Sequence, residues 1–202
     1  MVQLRNDNEL MEACRSGNEQ AWADFYARFA PRIARFLYRV AGPNAEVEEL
    51  VQQVFVECFT SLDRFRGEAP VTSWLFGIAA NLARRHQRSA TRNERKAGAF
   101  GHHLELVGER NGSDPSSQVA ARDAFGLLEG ALERLKPPQR IAWVMVELEG
   151  MTCEDVARTI GARPSTVRAR LRVARERIRK TLALQNEPER VAKTAEAEVV
   201  TR

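Results

Sequence analysis

Cysteine is scarce in this chain of 202 residues, in which Cys14, Cys58 and Cys153 are the only three. Their odd number, wide separation and lack of any Cys-x-x-Cys or Cys/His spacing exclude a disulfide framework and argue against a zinc site. The adjacent histidines His102 and His103 also fit no metal-ligand spacing. We therefore expect no metal and no cofactor, and we interpret each cysteine as a small hydrophobic residue within a helical pattern.

Long apolar runs are missing as well. No stretch approaches the roughly 20 residues that a membrane-spanning helix needs, and the N-terminal MVQLRNDNELMEACRSG lacks the apolar core of a signal peptide. The chain also has no glycine-rich phosphate loop, no paired carboxylates in an apolar setting and no Ser/His/Asp arrangement. These absences predict a cytoplasmic protein with no membrane insertion and no enzymatic activity.

Arginine, in contrast, is abundant and locally concentrated. In STVRARLRVARERIRK, residues 165–180, apolar residues recur at the spacing of one face of an amphipathic helix. That face carries Val167, Leu171, Ala174 and Ile178. The neighbouring face carries Arg168, Arg172, Arg175 and Arg179, and Glu176 is the only acid among them. The pattern predicts a helix that is buried on one side and cationic on the other, with a charge that internal ion pairs do not neutralise.

The residues just before this segment predict a short helix and a turn. Thr152 is a suitable N-cap, Gly161 ends the short helix, and Pro164 prevents its continuation before a new helix begins at Ser165. A short helix, a glycine turn and a basic helix form a helix-turn-helix, whose second helix lies in the major groove of DNA. The candidates for reading bases are Ser165, Thr166, Arg168 and Arg170. The candidates for phosphate contacts are Arg163, Arg172, Arg175 and Arg179.

Helical periodicity also organises the rest of the chain. The first amphipathic run covers 22–40, where Trp22 and Tyr26 keep the apolar spacing, Pro31 predicts a kink and Gly42 predicts the end of the helix. Further amphipathic runs cover 47–62 and 71–82. Later runs reach a break at 137–138 and continue to Gly150 with Leu148 on the inner face. We predict an all-α protein of two small helical domains joined by a flexible linker. Its parts are a first domain at 1–92, the linker at 93–117, a second domain at 118–185 and a disordered tail at 186–202.

Three ordered segments resemble a known family. EELVQQVFVECFTSLDRFRGEA is similar to region 2.2 and the loop after it, and SWLFGIAANLA is similar to the following helix of region 2. ALERLKPPQRIAWVMVELEGMTCEDVARTIGARPSTVRARLRVARERIRKTL is similar to region 4. Together they resemble the extracytoplasmic-function (ECF) sigma factors of the bacterial sigma-70 family, from about residue 10 to residue 184. The resemblance implies a transcription initiation factor that directs core RNA polymerase to specific promoters.

The resemblance also implies partners and their binding residues. In the family, region 2.2 docks on the clamp helices of the polymerase beta-prime subunit, and region 4 meets the beta flap. The implied docking residues are Glu49, Gln52 and Gln53, with Glu48 beside them. A cognate anti-sigma factor that covers these surfaces is a further implied partner and could hold the protein at the membrane. The two domains are then expected to close on each other or around the inhibitor, and to separate on core polymerase.

Region 2 of the family opens the promoter at the minus-ten element. The loop after region 2.2 captures an unstacked base, and the following helix contacts the same element. The implied loop residues are Arg64, Phe65, Arg66 and Gly67, and the implied helix residues are Asn81, Arg84, Arg85 and Arg88. We assign Trp74 to the core by its apolar spacing, whereas Phe65 and Phe76 fit either packing or base stacking.

A few positions depart from the family pattern. Gln53 stands where the family commonly has Glu, Gly77 replaces a basic or larger residue, and Ser165 replaces a common Gly. The alternative function is a stand-alone helix-turn-helix regulator with an N-terminal dimerisation or sensing domain, which would bind symmetric half-sites. RNA recognition is a weaker alternative, because the aromatic platforms of the usual single-strand modules are missing.

Overall fold

The computed structural model describes residues 6–42, 45–94 and 126–200, and these residues form helices and turns without a strand. The helices are α1 (Asp7–Arg15), α2 (Glu19–Ala41), α3 (Val47–Thr60), α4 (Val71–Glu94), α5 (126–133), α6 (Pro137–Trp143), α7 (Cys153–Thr159) and α8 (Pro164–Val200). A 3-10 turn at Leu62–Arg64 follows α3, and a π-helical turn at Val144–Leu148 follows α6. The predicted all-α class is confirmed, whereas the predicted linker at 93–117 lies almost entirely outside the described residues.

The first domain is a bundle of α1 to α4 around an aromatic core. Phe25, Phe36 and Phe76 are fully buried, and the rings of Phe36 on α2 and Phe76 on α4 lie 4.7 Å apart. Helix α2 continues through Pro31 and ends at Gly42, whose φ of 98° is a conformation that glycine adopts without steric cost. The predicted helix end at Gly42 is therefore confirmed. Phe76, for which the sequence allowed either packing or base stacking, is a packing residue in this structure because its ring is buried.

The second domain contains α5 to α8 and confirms the predicted helix-turn-helix. The Thr152 hydroxyl accepts a hydrogen bond from the Asp155 amide as the N-cap of α7, and Gly161 follows that helix with a φ of 64°. The predicted apolar stripe of α8 is buried, as its residues Val167, Leu171, Ala174 and Ile178 are at most 6% exposed. Helix α8 begins at Pro164 and not at Ser165, because proline suits the first helical position.

Three further details differ from the sequence prediction. Leu148, predicted on an inner face, is 36% exposed, because the π-helical turn shifts the phase of the residues within it. Helix α4 continues to Glu94, beyond the loss of apolar periodicity after Leu82, since arginine and alanine favour helix without a buried face. Helix α8 continues to Val200 through the tail predicted to be disordered, where alanine and glutamate are strong helix formers.

The cysteines differ in accessibility. Burial raises the pKa of Cys14 to about 11 and that of Cys58 to about 12, while Cys153 is half-buried at the start of α7. Because the thiolate is the reactive form, Cys14 and Cys58 stay protonated and inert at pH 8. We expect iodoacetamide to label Cys153 alone in the folded protein and all three cysteines in denaturant, as measured by mass spectrometry. Native labelling of Cys58 would mean that the first domain opens readily.

Candidate nucleic-acid and partner interfaces

The outer face of α3 is polar and carries the residues predicted to dock on a partner. Glu48, Glu49, Gln52 and Gln53 are all exposed, and the Gln53 side-chain amide donates to the Glu49 carboxylate at 3.0 Å. The two glutamates lie in the first helical turn, where the helix dipole stabilises negative charge. Because the opposite face of α3 is buried, this surface is held rigidly.

An exposed aromatic patch continues this face and was not recognised in the sequence. It consists of Trp22 and Tyr26 on α2 with Val56 and Phe59 on α3. Phe59 is 63% exposed, Val56 64% and Tyr26 46%, and the Trp22 ring lies 5.1 Å from the Phe59 ring. Val56 follows Gln52 by four residues and Phe59 follows Val56 by three, which places all three side chains on one helical face. This spacing could have revealed the patch from the sequence, because it places large apolar side chains on an otherwise polar helix face.

The loop after α3 presents two arginines around a buried anchor. Arg64 and Arg66 are exposed, whereas Phe65 between them is 7% exposed and its ring lies 5.1 Å from that of Trp74. Gly67 follows with a φ of 72°, which is a conformation that favours glycine. Trp74, predicted in the core, is half-buried and borders a cleft. The Phe65 ring is therefore packed against Trp74, while the side chains of Arg64 and Arg66 on either side of it are exposed to solvent.

Helix α4 carries the second set of predicted nucleic-acid contacts. Asn81, Arg85 and Arg88 are exposed, and Arg84 donates to the Asn81 side-chain oxygen at 2.6 Å. Burial lowers the pKa of Arg84, and the positive charges of Arg170 and Arg88 lower it further. The positive charge of Arg170 in the second domain thus opposes that of Arg84 in the first.

The cationic face of α8 is partly neutralised, which corrects the expectation drawn from Glu176 alone. Arg168 pairs with Glu154 of α7 at 2.5 Å, and Arg175 pairs with Glu147 of the π-helical turn at 2.6 Å. Both acids come from other elements of the second domain and could not be assigned from the α8 sequence. Of the remaining candidates, Arg163, Ser165 and Arg172 are exposed, and Thr166 and Arg170 are half-buried. Exposed ion pairs of this kind contribute about 1 kcal/mol or less, so DNA phosphates can displace them.

The two domains contact each other across a cleft of about 640 Å³, which is lined by the loop after α3, by α4 and by α7. Arg32 of α2 pairs with Glu149 at 2.9 Å and lies over the Phe76 ring, with 5.2 Å to its centroid. Gly77 of α4 faces Thr159 of α7 so closely that an added Cβ would lie 3.1 Å from the Thr159 carbonyl oxygen. The side of α4 that contains Gly77 is thus covered by the second domain.

Residues 6–42, 45–94 and 126–200 contain no group of three or more His, Cys, Asp or Glu side chains that could hold a metal ion. Within the same ranges, no helix has the length and apolar character required to cross a bilayer.

Comparisons with known proteins match both domains. The family described as Sigma-70 region 2 matches residues 25–93, and the family described as Sigma-70, region 4 matches residues 125–178. The chain is 31% identical over 172 residues to the RNA polymerase sigma factor CarQ of Myxococcus xanthus, which covers 85% of this chain and 95% of CarQ. It is 26% identical over 183 residues to the ECF RNA polymerase sigma-E factor of Escherichia coli strain K12, which covers 88% of this chain and 95% of that factor.

Solved structures share the fold. The sigma factor RpoE of Bartonella quintana, in complex with the anti-sigma factor NepR, superposes with a TM-score of 0.64 at 22% identity, covering 80% of this chain and 96% of RpoE. CnrH in complex with the cytosolic domain of CnrY gives a TM-score of 0.63 at 24% identity, covering 88% of this chain and 97% of CnrH. With both sigma-70 regions matched in order, the chain belongs to the sigma-70 family and is an ECF sigma factor, a subunit with which RNA polymerase initiates transcription.

Proposed function

We propose that this sigma factor uses three separate surfaces to assemble the initiation complex. The outer face of α3 and the aromatic patch bind core RNA polymerase, the loop after α3 and helix α4 bind the minus-ten element, and α8 binds the minus-thirty-five element. The division into a first domain at 1–92, a linker at 93–117, a second domain at 118–185 and a tail at 186–202 is part of this proposal. The observation that carries it is that a polar, partly aromatic face and a cationic loop occur on separate parts of one rigid bundle.

Docking on the beta-prime clamp helices requires a surface that combines acidic and apolar groups. The four polar residues of α3 supply charge and hydrogen bonds, which give specificity and favour association. The neighbouring aromatic patch supplies the apolar area that interfaces concentrate at their centre. The second domain then contacts the beta flap, which places α8 upstream of the first domain. All of these steps are binding events, so the protein needs no catalytic chemistry of its own.

Strand capture at the minus-ten element requires cations beside a space that can take an unstacked base. Arg64 and Arg66 are exposed and line the cleft, as does the half-buried Trp74. Asn81 and Arg84 extend this surface along α4 and are joined by a hydrogen bond. Arginine neutralises phosphates and stacks on bases, which are the usual means of holding a single strand.

Arg168 is the best placed candidate for reading a base of the minus-thirty-five element, because it lies in the first turns of α8. We expect Arg168→Ala to lower the preference for the cognate element over a mutated one by about 10-fold, because one bidentate arginine contact to guanine discriminates by roughly 1 to 3 kcal/mol. Retention on core polymerase should be unchanged. The measurement is competitive binding of promoter duplexes by the reconstituted holoenzyme.

The matched control is Arg172→Ala on the same helix. Arg172 is exposed and is proposed to contact a phosphate, so its loss should weaken cognate and mutated duplexes equally and reduce the salt dependence of binding. Equal weakening of both duplexes by Arg168→Ala would contradict the assignment of Arg168 to a base. In addition, Glu154→Gln removes the carboxylate that pairs with Arg168 and should raise duplex affinity only slightly.

The experiment that tests the function as a whole is transcription in vitro with purified core RNA polymerase and a library of promoter fragments. Transcripts that depend on this protein and share two upstream elements are the expected result. Binding of duplex DNA without any dependent transcript would favour the alternative of a stand-alone regulator. The first domain would then be a dimerisation or sensing domain.

An anti-sigma factor is the proposed regulator, and its binding would sequester a cytoplasmic protein, in some cases at the membrane. One structure of the same fold, the sigma factor RpoE of Bartonella quintana, is in complex with the anti-sigma factor NepR. The contacts between the domains support a closed free state, since Arg32 and Glu149 form an ion pair in which the Glu149 side chain is only 7% exposed. Core polymerase would separate the domains. The scattering radius of the free protein should therefore be smaller than that of the polymerase-bound sigma subunit.

A further inference from the structure

Arg15, at the end of α1, reaches the loop that carries the proposed minus-ten contacts. Its Nη2 donates to the backbone carbonyl of Phe65 and lies 3.4 Å from the carbonyl of Leu62. Its Nη1 donates to the Glu12 carboxylate at 3.0 Å, which is a second restraint on the guanidinium. Arg15 precedes residues 25–93, which match the family, and no role was predicted for it from the sequence.

The two carbonyls lie where the backbone changes conformation. Leu62 begins the 3-10 turn, and Phe65 ends it with an extended backbone of φ −75° and ψ 111°. The Leu62 carbonyl already accepts the Phe65 amide at 3.1 Å within the turn, whereas the Phe65 carbonyl lies past the end of the turn and is satisfied by an outside donor, Arg15. The planar fork of arginine can reach two acceptors at once and forms charge-assisted hydrogen bonds.

Phe65 is therefore held in two ways. Its ring packs in the core beside Trp74, and its carbonyl is held by Arg15. The residues on either side of it, Arg64 and Arg66, have exposed side chains. Fixing the backbone of Phe65 therefore fixes the direction in which both cations point, and it lowers the entropy that is lost when they bind a strand.

We propose that Arg15 is a positioning residue for minus-ten recognition, which acts by holding the Phe65 carbonyl so that Arg64 and Arg66 meet the captured strand in a fixed geometry. This inference rests on the proposed role of the loop after α3. Arg15 itself does not touch DNA. Its side chain is 31% exposed and is occupied by the loop and by Glu12.

The test uses holoenzyme reconstituted from core RNA polymerase and the full chain. The probe is a fluorescent single-stranded oligonucleotide with the non-template minus-ten sequence of the most active promoter from the transcription library, beside a version with scrambled bases. We expect Arg15→Ala to weaken binding of the cognate strand by about 10-fold, as expected for the loss of charge-assisted hydrogen bonds to an ordered loop. Binding of the scrambled strand should change much less, so that base selectivity falls. Arg15→Lys keeps the positive charge but replaces the planar guanidinium with one ammonium group, so it should restore part of the selectivity.

Two controls separate positioning from the stability of α1. Asp7→Asn breaks the ion pair between Asp7 of α1 and Arg28 of α2 at 2.9 Å, and so loosens the same helix without touching the loop. Glu12→Gln removes the charged partner of Arg15 but keeps the contacts between Arg15 and the loop. Both should preserve selectivity, and all variants should keep the wild-type affinity for core polymerase.

The outcomes distinguish a failure of the minus-ten role of the loop from a failure of the positioning role of Arg15. If the wild-type holoenzyme does not distinguish the cognate strand from the scrambled one, the minus-ten role of the loop fails, and the role of Arg15 fails with it. If the wild type discriminates and Arg15→Ala discriminates equally well, the positioning role alone is overturned. If Asp7→Asn loses as much selectivity as Arg15→Ala, Arg15 only stabilises α1 and the proposal is likewise overturned.

Discussion

Replacing Phe59 with glutamate is expected to lower the affinity for core RNA polymerase by about 100-fold. Docking would bury the ring, which is 63% exposed in the free protein, and burial of a large apolar side chain contributes roughly 1.5 to 3 kcal/mol. A glutamate at the same place would bring an unpaired charge into the interface and add a desolvation cost. Because the ring is exposed, the fold itself should tolerate the change. The measurement is titration of labelled protein with core polymerase.

Two comparison variants make this result specific to the aromatic patch. Gln52→Ala combined with Gln53→Ala removes neutral hydrogen-bonding groups and should weaken docking by about 10-fold, which is less than the effect of Phe59→Glu. Ala27→Glu introduces the same charge at an exposed position of α2 outside the patch and should have little effect. Duplex DNA binding by the free chain should be preserved in all three. An unchanged polymerase affinity in Phe59→Glu would move the docking site elsewhere.

Gly77→Leu is expected to separate the two domains in the free protein. A Cβ at this position would lie 3.1 Å from both the carbonyl oxygen and the Cγ2 of Thr159, and a longer side chain has to displace α7 from α4. The ion pair between Arg32 and Glu149 lies in the same interface and should be lost with it. We expect the radius of gyration in small-angle scattering to rise by about 5 Å from the roughly 17 Å of a single compact unit of this length.

Opening should also expose the surface proposed to bind the minus-ten strand. The free Gly77→Leu protein should therefore bind the single-stranded probe more tightly than the free wild type, by about 10-fold, with little difference between the two holoenzymes, in which the domains are already apart. Unchanged scattering together with unchanged strand binding would argue against the closed state as an inhibited form.

Glycine substitutions provide a graded control. Gly77→Ala adds only a Cβ and should open the domains partially, while the propensity of α4 for helix improves by about 1 kcal/mol. Gly130→Ala makes the same change on α5, where an added Cβ meets nothing within 4 Å. It should stabilise the second domain without altering the scattering. The comparison separates the loss of the interface from a general effect of replacing glycine in a helix.

The amphipathic runs were predictable because helical periodicity is a local property. The buried stripe of α8, the Thr152 cap and the glycine that ends α2 were all recognised from residues a few positions apart. The acids that pair with Arg168 and Arg175 were not, because Glu154 and Glu147 lie 14 and 28 positions away. The sequence also could not separate packing from stacking for Phe65, since that depends on what lies next to its ring.

By itself, the sequence determined the helices, the helix-turn-helix, the cationic segments and the membership of a family, because each follows from local periodicity, capping and ordered motifs. Tertiary structure alone decided which aromatic residues remain exposed beside the polar face of α3 and which carbonyl Arg15 holds. It also decided why a glycine stands at position 77, where α4 meets α7. These features depend on residues that are far apart in the sequence, such as Arg15 and Phe65 at a separation of 50 positions, which only packing brings into contact.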